Sequence, residues 1–247
     1  MKHLLKIDER IDDLQYKGFK LIQNPKEFCF GVDAVLLANF PIIKKDDIVV
    51  DFGTGSGIIP MLICAKTEAS HVTGIEIQEY LSDMAKRSVI LNNICDKVTI
   101  INDDLKNWAD YLKPSSCDII TCNPPYKDKG TGIINPKNGK AIARHEITCN
   151  LEDVICNASK LLKFNGKLCM IHRPQRIADI ICIMRKYKIE PKRLKFVYPD
   201  RFKAPSMILI EGAMGGRAEM RVLEPLFIYD DNGSYSKEIN MIYDRGK

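Results

Sequence analysis

A buried strand followed at once by a glycine-rich turn decides the fold, and its sequence is Ile48-Val49-Val50-Asp51-Phe52-Gly53-Thr54-Gly55-Ser56-Gly57. Three consecutive apolar residues, mostly β-branched, are typical of a strand that is buried on both faces of a parallel sheet. Glycines let the following backbone turn sharply and approach a ligand closely. Residues 58–66 then read as a helix. The segment therefore predicts a strand, loop and helix unit with a ligand site at the loop.

The alternation of strand and helix continues along the chain at the spacing of βαβ units. It predicts an α/β fold with a doubly wound, mostly parallel sheet of seven strands, of the Rossmann-like type. Right-handed crossovers place the ends of the first and fourth strands side by side, and ligands bind there. The predicted strands cover residues 48–51, 71–77, 98–102, 117–122, 167–172, 194–198 and 207–212, and the helices between them cover residues 58–66, 79–92, 151–162 and 173–187.

The length of 247 residues suits a single α/β domain with small additions. Residues 1–46 are interpreted as an extension that contains a hairpin over residues 19–30 and a short apolar helix over residues 33–39. Residues 47–247 are interpreted as the core together with its C-terminal strands, with a turn at Asp231-Asn232-Gly233. The whole chain is therefore predicted to be one domain.

Composition narrows the class of protein. Hydrophobic residues make up 45% of the chain and charged residues 28%, which is ordinary for a globular protein. No apolar run reaches the roughly 18 residues that span a bilayer, and residues 1–13 lack the apolar core of a signal peptide. The nine cysteines form no C-x-x-C pair. We therefore expect a cytoplasmic protein with reduced thiols and no metal site.

Basic residues are concentrated in one part of the chain. The formal net charge is +5, but residues 159–203 contain thirteen Lys or Arg against three acids. Such a stretch indicates an electropositive face for phosphates, or else a solvated basic surface without a partner. The thirteen are Lys160, Lys163, Lys167, Arg173, Arg176, Arg185, Lys186, Lys188, Lys192, Arg193, Lys195, Arg201 and Lys203.

Acidic residues follow three successive strands. Asp51 ends the first strand, where a carboxylate would repel a dinucleotide pyrophosphate but would suit the ammonium and sulfonium of S-adenosylmethionine. Glu76 ends the second and can accept both ribose hydroxyls. Asp103 or Asp104 follows the third and can accept the adenine amino hydrogens. The alternative is that these acids only cap helices or end strands. The predicted cofactor residues are Asp51, Gly53, Thr54, Gly55, Gly57, Glu76, Ile77, Asp103 and Asp104.

The tetrapeptide Asn123-Pro124-Pro125-Tyr126 follows the fourth strand, across from the glycine loop. An exocyclic amine is a poor nucleophile because its lone pair is delocalised. The Asn123 side-chain oxygen and the Pro124 carbonyl can accept its two N–H bonds, while the prolines stiffen the loop. Tyr126 offers a face on which a flipped base can stack. The four residues therefore predict methylation of an amine; the alternative is an ordinary strand-ending turn.

Further segments agree with these two motifs. They are Phe30-Gly-Val-Asp-Ala-Val-Leu-Leu-Ala38, Ala143-Arg-His-Glu146, Ile171-His-Arg-Pro174, Phe196-Val-Tyr-Pro199 and residues 239–243. Together with the glycine loop and the tetrapeptide, they make nearly the whole chain resemble the bacterial tRNA1(Val) (adenine-37-N6)-methyltransferase family. The resemblance implies the class I S-adenosylmethionine-dependent methyltransferase fold, transfer to the N6 amine of an adenine in tRNA at position 37, and tRNA as the partner.

The resemblance also implies that a basic surface carries the tRNA. A loop over residues 127–145 is expected to close over the substrate, and His145 is expected to position this loop. The predicted RNA-binding residues are Lys127, Lys129, Arg144, Arg173, Arg185, Lys186 and Lys188. Two alternatives remain, a protein glutamine N5-methyltransferase, which shares the tetrapeptide, and a catalytically silent RNA-binding module.

Overall fold

A nine-stranded sheet forms the centre of the molecule in a computed structural model that describes residues 4–26, 29–124 and 150–244. Two shorter strands, β1 (Arg10–Asp13) and β2 (Lys20–Gln23), pair separately as a hairpin. The strands of the large sheet are β3 (Ile48–Phe52), β4 (His71–Glu76), β5 (Val98–Asn102), β6 (Cys117–Cys122), β7 (Leu162–His172), β8 (Ile189–Tyr198), β9 (Met207–Met214), β10 (Arg221–Val222) and β11 (Leu226–Phe227).

The order of strands is β10-β8-β9-β7-β6-β3-β4-β5, and β11 also pairs with β8. Strands β3 to β7 pair in parallel, whereas β9 is antiparallel to both of its neighbours. The predicted doubly wound α/β fold is confirmed. All seven predicted strands are present, and β10 and β11 raise the number to nine because the chain after β9 returns along the outer side of β8.

Helices cover both faces of the sheet. They are α1 (Val32–Asn39), α2 (Ile58–Lys66), α3 (Glu79–Leu91), α4 (Leu151–Leu161), α5 (Ile177–Lys186) and α6 (Lys237–Ile242). Strand β3 alternates between the two layers: Val49 packs in the core with α1, α2 and α3, while Val50 and Phe52 pack in the core with α4 and α5. This burial on both faces is what its continuous apolar sequence predicts. No helix in the described ranges is long and apolar enough to cross a bilayer.

Three predicted boundaries after the tetrapeptide need correction. The strand predicted to begin at residue 167 begins at Leu162, so that Phe164-Asn165-Gly166, whose residue types favour a turn, lies inside β7, where Asn165 has φ of +63° and the register with β6 shifts between Cys117 and Ile119. A bulge, which bends a strand without ending it, therefore takes the place of the turn. The helix expected over residues 173–187 begins instead with a 3₁₀ turn, Pro174–Arg176, because proline suits a first turn. Strand β8 starts at Ile189, before the predicted residue 194.

The N-terminal hairpin prediction has the wrong partner. Strand β2 pairs with β1, in the register Arg10 with Gln23, and not with residues 28–30, of which Phe28 lies outside the described residues. Gln15, Lys17 and Gly18, all with positive φ, close the turn. The buried Ile22 N–H donates to the Ser88 hydroxyl of α3 at 2.9 Å. The hairpin is therefore fixed against the core by contacts distant in sequence.

Candidate active site

The glycine loop and the tetrapeptide leave the sheet side by side. Strands β3 and β6 are parallel neighbours, with Asp51 opposite Thr121 and Phe52 opposite Cys122. Asn123 and the glycine loop therefore both begin at the carboxyl ends of the parallel strands, which we call the carboxyl edge; the opposite side is the amino edge. This is the position at which doubly wound sheets bind ligands.

The glycine loop exposes its backbone at two positions and packs at the third. Gly53, Gly55 and Gly57 have φ of +71°, +57° and +88°, a region that favours glycine. A Cβ atom added to Gly53 or Gly55 would have no heavy atom within 4 Å, so both face open space. A Cβ at Gly57 would lie 3.0 Å from the Cβ of Ala85 in α3. The first two glycines are therefore open to a ligand, and the third permits close packing against α3.

Asp51 is fully buried and only half satisfied. Its Oδ1 accepts a hydrogen bond from the Thr121 hydroxyl at 2.6 Å, whereas its Oδ2 has no hydrogen-bond partner among the described residues. Burial raises the pKa of Asp51 to about 7; the Thr121 and Thr54 hydroxyls oppose the rise, and the negative charge of Glu76 adds to it. A bound cation would supply the missing partner and favour the ionised carboxylate. The site therefore fits the ammonium of the predicted cofactor.

The Thr54 hydroxyl is buried beside Asp51; it makes no hydrogen bond of good geometry in the described part of the chain, yet its nearness lowers the pKa of that carboxyl. The Thr54 side chain lies against Gly74 of β4, where an added Cβ would be 2.8 Å from both Thr54 γ atoms. Gly74 therefore makes room for this side chain. Sequence reasoning missed both Gly74 and Thr121. The available signal was a glycine and a hydroxyl inside otherwise apolar strands, and only the strand register shows that both lie opposite Asp51.

Glu76 ties the loop to the end of β4. It is buried, its Oε2 accepts from the Gly55 N–H at 2.9 Å, and its Oε1 accepts from the Gln78 N–H at 2.8 Å. The Gln78 side-chain amide also donates to Oε1, at 3.5 Å. Ile77, the next residue, is 36% exposed and offers an apolar surface beside the loop.

Asp103 and Asp104 both have local partners. The Asp103 carboxylate accepts from the Asp104 N–H, the Asn107 amide and the Tyr111 hydroxyl, and the Tyr111 bond lowers the pKa of Asp103. Asp104 caps the 3₁₀ helix Leu105–Asp110 by accepting from the Lys106 N–H at 2.9 Å. Helix capping, the alternative interpretation, therefore describes part of the role of Asp104. Both acids follow β5 at the carboxyl edge and both stay candidates for the adenine amino group.

Asn123 contacts the N-terminal extension. Its side-chain Nδ2 donates to Oδ2 of Asp33, in the first turn of α1, at 2.9 Å. Sequence reasoning used Asp33 only as part of a family segment and missed this contact, because the two residues are 90 positions apart. The other predicted residues of this loop, namely Pro125, Tyr126, Lys127, Lys129, Arg144 and His145, lie outside the described residues.

The basic stretch is divided between the two edges. Arg173 directly follows β7, at the carboxyl edge. Arg185, Lys186 and Lys188 precede β8 and lie at the amino edge. Two of these three are paired: Arg185 with Glu190 at 2.8 Å and Lys186 with Glu152 at 2.5 Å. The structure thus brings only Arg173 of the four to the edge that holds Asn123.

Within the described ranges, no three His, Cys, Asp or Glu side chains cluster as metal ligands, and the eight cysteines there are unpaired thiols.

Comparison with known proteins finds methyltransferases among similar sequences. A model of the family "Methyltransferase small domain" matches residues 30–187. A Porphyromonas gingivalis protein named tRNA1(Val) (adenine(37)-N6)-methyltransferase is 28% identical over 92% of this chain and 91% of its own length. A Histophilus somni protein of the same name is 26% identical over 93% of this chain and 94% of its own length.

Solved structures agree on the fold. A crystal structure from Agrobacterium tumefaciens, described as a predicted O-methyltransferase, superposes with a TM-score of 0.70 at 21% identity and covers 87% of this chain and 97% of its own. The family match confirms the predicted methyltransferase and its cofactor, S-adenosylmethionine. Because the matched residues make up more than half of the sequence, the chain belongs to the methyltransferase small-domain family.

Proposed function

We propose that this methyltransferase transfers a methyl group from S-adenosylmethionine to the exocyclic N6 amine of an adenine in tRNA, at position 37 beside the anticodon. The observation that carries the proposal is the position of Asn123. Its amide is held at the carboxyl edge by Asp33, next to a buried Asp51 oxygen that needs a cation. Relatives that match over nine-tenths of the chain and are named for this activity support the choice of substrate.

Each of the predicted cofactor residues binds a different part of S-adenosylmethionine in this proposal. The Asp51 carboxylate receives the ammonium group, and the open backbone at Gly53 and Gly55 lets the ligand approach closely. Glu76, which is fixed at the end of β4 by its bond to the Gly55 N–H, accepts the ribose hydroxyls, and Ile77 covers one face of the adenine. Asp103 or Asp104 accepts the adenine amino hydrogens. The bound cofactor supplies an activated methyl group on a sulfonium.

The chain contributes orientation to the reaction. Asn123 Oδ1 and the Pro124 carbonyl each accept one N–H of the target amine, so that its lone pair turns toward the methyl group. The nitrogen–carbon bond forms while the carbon–sulfur bond breaks, and positive charge moves from sulfur to nitrogen. Both N–H bonds become stronger donors as this charge develops, so the two acceptors stabilise the transition state more than the ground state. The nitrogen then loses one proton to water.

The tRNA is proposed to lie along the carboxyl edge. Tyr126 stacks on the flipped adenine, and Arg173 with Lys127, Lys129 and Arg144 contacts phosphates near it. Arg185, Lys186 and Lys188 contribute only if the RNA extends to the amino edge. The cytoplasmic location predicted from the sequence is part of this proposal.

The test is single-turnover transfer of an isotopically labelled methyl group to a tRNA1(Val) transcript, followed by nucleoside mass spectrometry. We expect N6-methyladenosine, and no product when adenine 37 is replaced by guanine. Asn123→Ala should lower the rate about 10²- to 10³-fold, as loss of one preorganised hydrogen bond commonly does. Cofactor affinity and melting temperature should stay near those of the unmodified chain.

Matched variants separate chemistry from folding. Asn39→Ala, in α1, removes a half-buried amide that bonds Val35 and Lys66, and should leave the rate unchanged. Tyr126→Ala should weaken tRNA capture because stacking contributes roughly 1–3 kcal/mol per base, whereas Tyr126→Phe should be mild. Methylation of a glutamine-containing peptide instead of tRNA, or tRNA binding without transfer, would contradict the proposal. So would an Asn123→Ala variant with normal turnover.

A further inference from the structure

Asp33 belongs to the N-terminal extension and contacts Asn123, the residue proposed to hold the target amine. Its Oδ2 accepts a hydrogen bond from Asn123 Nδ2 at 2.9 Å. Neither the composition of α1 nor its position before the core predicts a role in chemistry, because five of its eight residues are buried and apolar. Asp33 is its one acidic residue, and it is only half-buried. What this contact does to Asn123 follows from the hydrogen-bonding capacities of the two groups.

The contact fixes which end of the Asn123 amide faces outward. An amide side chain can present either its NH₂ group or its oxygen in a given direction, and the two ends have nearly the same size. A carboxylate only accepts hydrogen bonds. The NH₂ group must therefore face Asp33, and the oxygen must face away from it. The contact thus selects, on chemical grounds, the orientation in which the oxygen and not the NH₂ group points away from Asp33.

The position of Asp33 is itself held by the surrounding chain. Ala34, Val35, Leu36 and Leu37 are buried and anchor α1 in the core. A Cβ atom added to Gly31 would lie 2.6 Å from Asp33 Oδ1, so the carboxylate occupies space that only glycine leaves open. Gly31 has φ of −101°, which any residue adopts, so backbone conformation does not require glycine there. The absent side chain therefore serves the placement of Asp33.

We propose that Asp33 is a positioning residue for the methyl transfer, which holds the Asn123 oxygen toward the target amine. The inference rests on the proposed function, since it assigns the partner of Asn123 in that reaction. The negative charge of Asp33 also polarises the Asn123 amide through the hydrogen bond from Nδ2. The Asn123 oxygen is therefore a stronger acceptor as positive charge develops on the amine. The cost of orienting the amide is met on folding, before the substrate arrives.

Kinetics of four variants test the inference. Asp33→Ala should lower the single-turnover rate about 10- to 100-fold, the range commonly seen at metal sites when an orienting partner is lost. The tRNA concentration at half-saturation and the cofactor affinity should change little. Asp33→Asn keeps an acceptor but can also present its own NH₂ group, so its rate should lie between those of Asp33→Ala and the unmodified chain. Gly31→Ala should lower the rate about 3- to 10-fold by displacing the carboxylate. The matched control is Asp179→Ala, which removes an exposed first-turn acid from α5 and should leave the rate unchanged.

A double-mutant cycle separates positioning from stability. If Asp33 acts through Asn123, the double variant Asp33→Ala with Asn123→Ala should be no slower than Asn123→Ala alone. Independent, multiplying losses would overturn the inference, as would a normal rate for Asp33→Ala or a loss that follows only its melting temperature. If Asn123→Ala itself keeps full activity, the proposed function fails first. If Asn123→Ala is impaired and Asp33→Ala is not, the inference fails and the proposed function stands.

Discussion

The two edges of the same sheet differ in how their polar groups are satisfied. At the amino edge, Asp118 accepts from the Ile48 N–H at 2.9 Å and from Lys163 Nζ at 2.7 Å, and Arg185 is paired with Glu190. At the carboxyl edge, Asp51 Oδ2 and the Thr54 hydroxyl are buried without a partner in the described chain. These charged groups of the amino edge are paired within this chain, whereas the two buried oxygens at the carboxyl edge have no such partner among the described residues.

This difference shows where function costs stability. A buried polar atom without a partner commonly costs about 1–3 kcal/mol, so such atoms are few in folded proteins. Four buried side-chain atoms in the described chain lack a partner, and two of them, on Asp51 and Thr54, lie together at the end of β3, whereas the others belong to Ser82 and Arg193. A ligand that binds there recovers the cost of the unfilled hydrogen bonds. Charge alone does not mark a site, because the paired charges of the amino edge leave no comparable demand.

The largest effect is expected at the glycine loop. Gly55→Val should weaken S-adenosylmethionine binding more than about 100-fold, because a side chain would fill the open space that the ligand needs. Gly18→Val is the matched control, since Gly18 also has positive φ, +73°, and open space, but lies in the hairpin turn. Both variants should lose similar thermal stability. Calorimetry that finds equal cofactor affinity in the two would refute the assignment of the loop.

The next effect is a pH dependence of cofactor binding. The raised pKa of Asp51, about 7, means that the free site takes up a proton below neutral pH, whereas an ammonium requires the carboxylate. Affinity should therefore fall about tenfold per pH unit below 7 and level off above 8. Asp51→Asn should bind weakly, with an affinity that changes little between pH 6 and 8. Calorimetric titrations at five pH values measure the cofactor affinity of the unmodified chain and of Asp51→Asn. An affinity of the unmodified chain that does not change with pH would contradict the prediction.

The raised pKa of Asp51 also makes the stability of the folded chain depend on pH. Because the pKa of Asp51 is higher in the folded chain than its ordinary value of 3.8, the folded state without ligand binds the extra proton. The contribution of Asp51 to stability should therefore decrease as pH rises from about 4 to 7. Saturation with the cofactor should reverse this trend, because the ligand stabilises the ionised carboxylate. Melting temperatures measured across this pH range, with and without the cofactor, give the two dependences of stability on pH that are compared.

A smaller effect should separate the two edges in RNA binding. Arg173→Glu, at the carboxyl edge, should weaken tRNA binding about fivefold and reduce the slope of log affinity against log salt by ~0.7 per lost phosphate contact. The double reversal Arg185→Glu with Lys186→Glu, at the amino edge, should change neither by as much. Filter binding between roughly 50 and 200 mM salt measures the tRNA affinity of both variants and its salt dependence. A larger loss in the double variant would mean that the RNA reaches the amino edge.

The smallest effect concerns Thr121. Thr121→Val removes, at nearly constant volume, the 2.6 Å hydrogen bond that the Thr121 hydroxyl donates to Asp51, and that bond lowers the pKa of Asp51. The midpoint of the pH profile should therefore move upward, with a loss of only a few-fold in affinity at pH 8. Thr73→Val, in β4, is a matched control because Thr73 is also a buried strand threonine. A midpoint that stays in place would show that Thr121 does not tune Asp51.

Local patterns made much of the fold predictable from the sequence. Buried apolar runs located β3 to β6 to within a residue or so, and the glycine loop and Asn123 marked the edge where they lie together. Pairings distant in sequence were not predictable in the same way. The partner of β2, the contact of Asn123 with Asp33, and the position of Thr121 opposite Asp51 all depend on register. The division of the basic stretch between the two edges was not predictable for a related reason, because a helix after each strand returns the chain to the opposite edge.

The two short strands β10 and β11 have a consequence for association between molecules. Strand β8 would otherwise present a row of free backbone groups, the kind of border along which sheets from separate chains join and aggregate. The returning chain covers it: Leu223 N–H donates to the Leu194 carbonyl, Ile228 N–H to that of Tyr198, and Tyr229 N–H to that of Pro199. The last part of the described chain thus seals a border that could otherwise recruit a foreign strand.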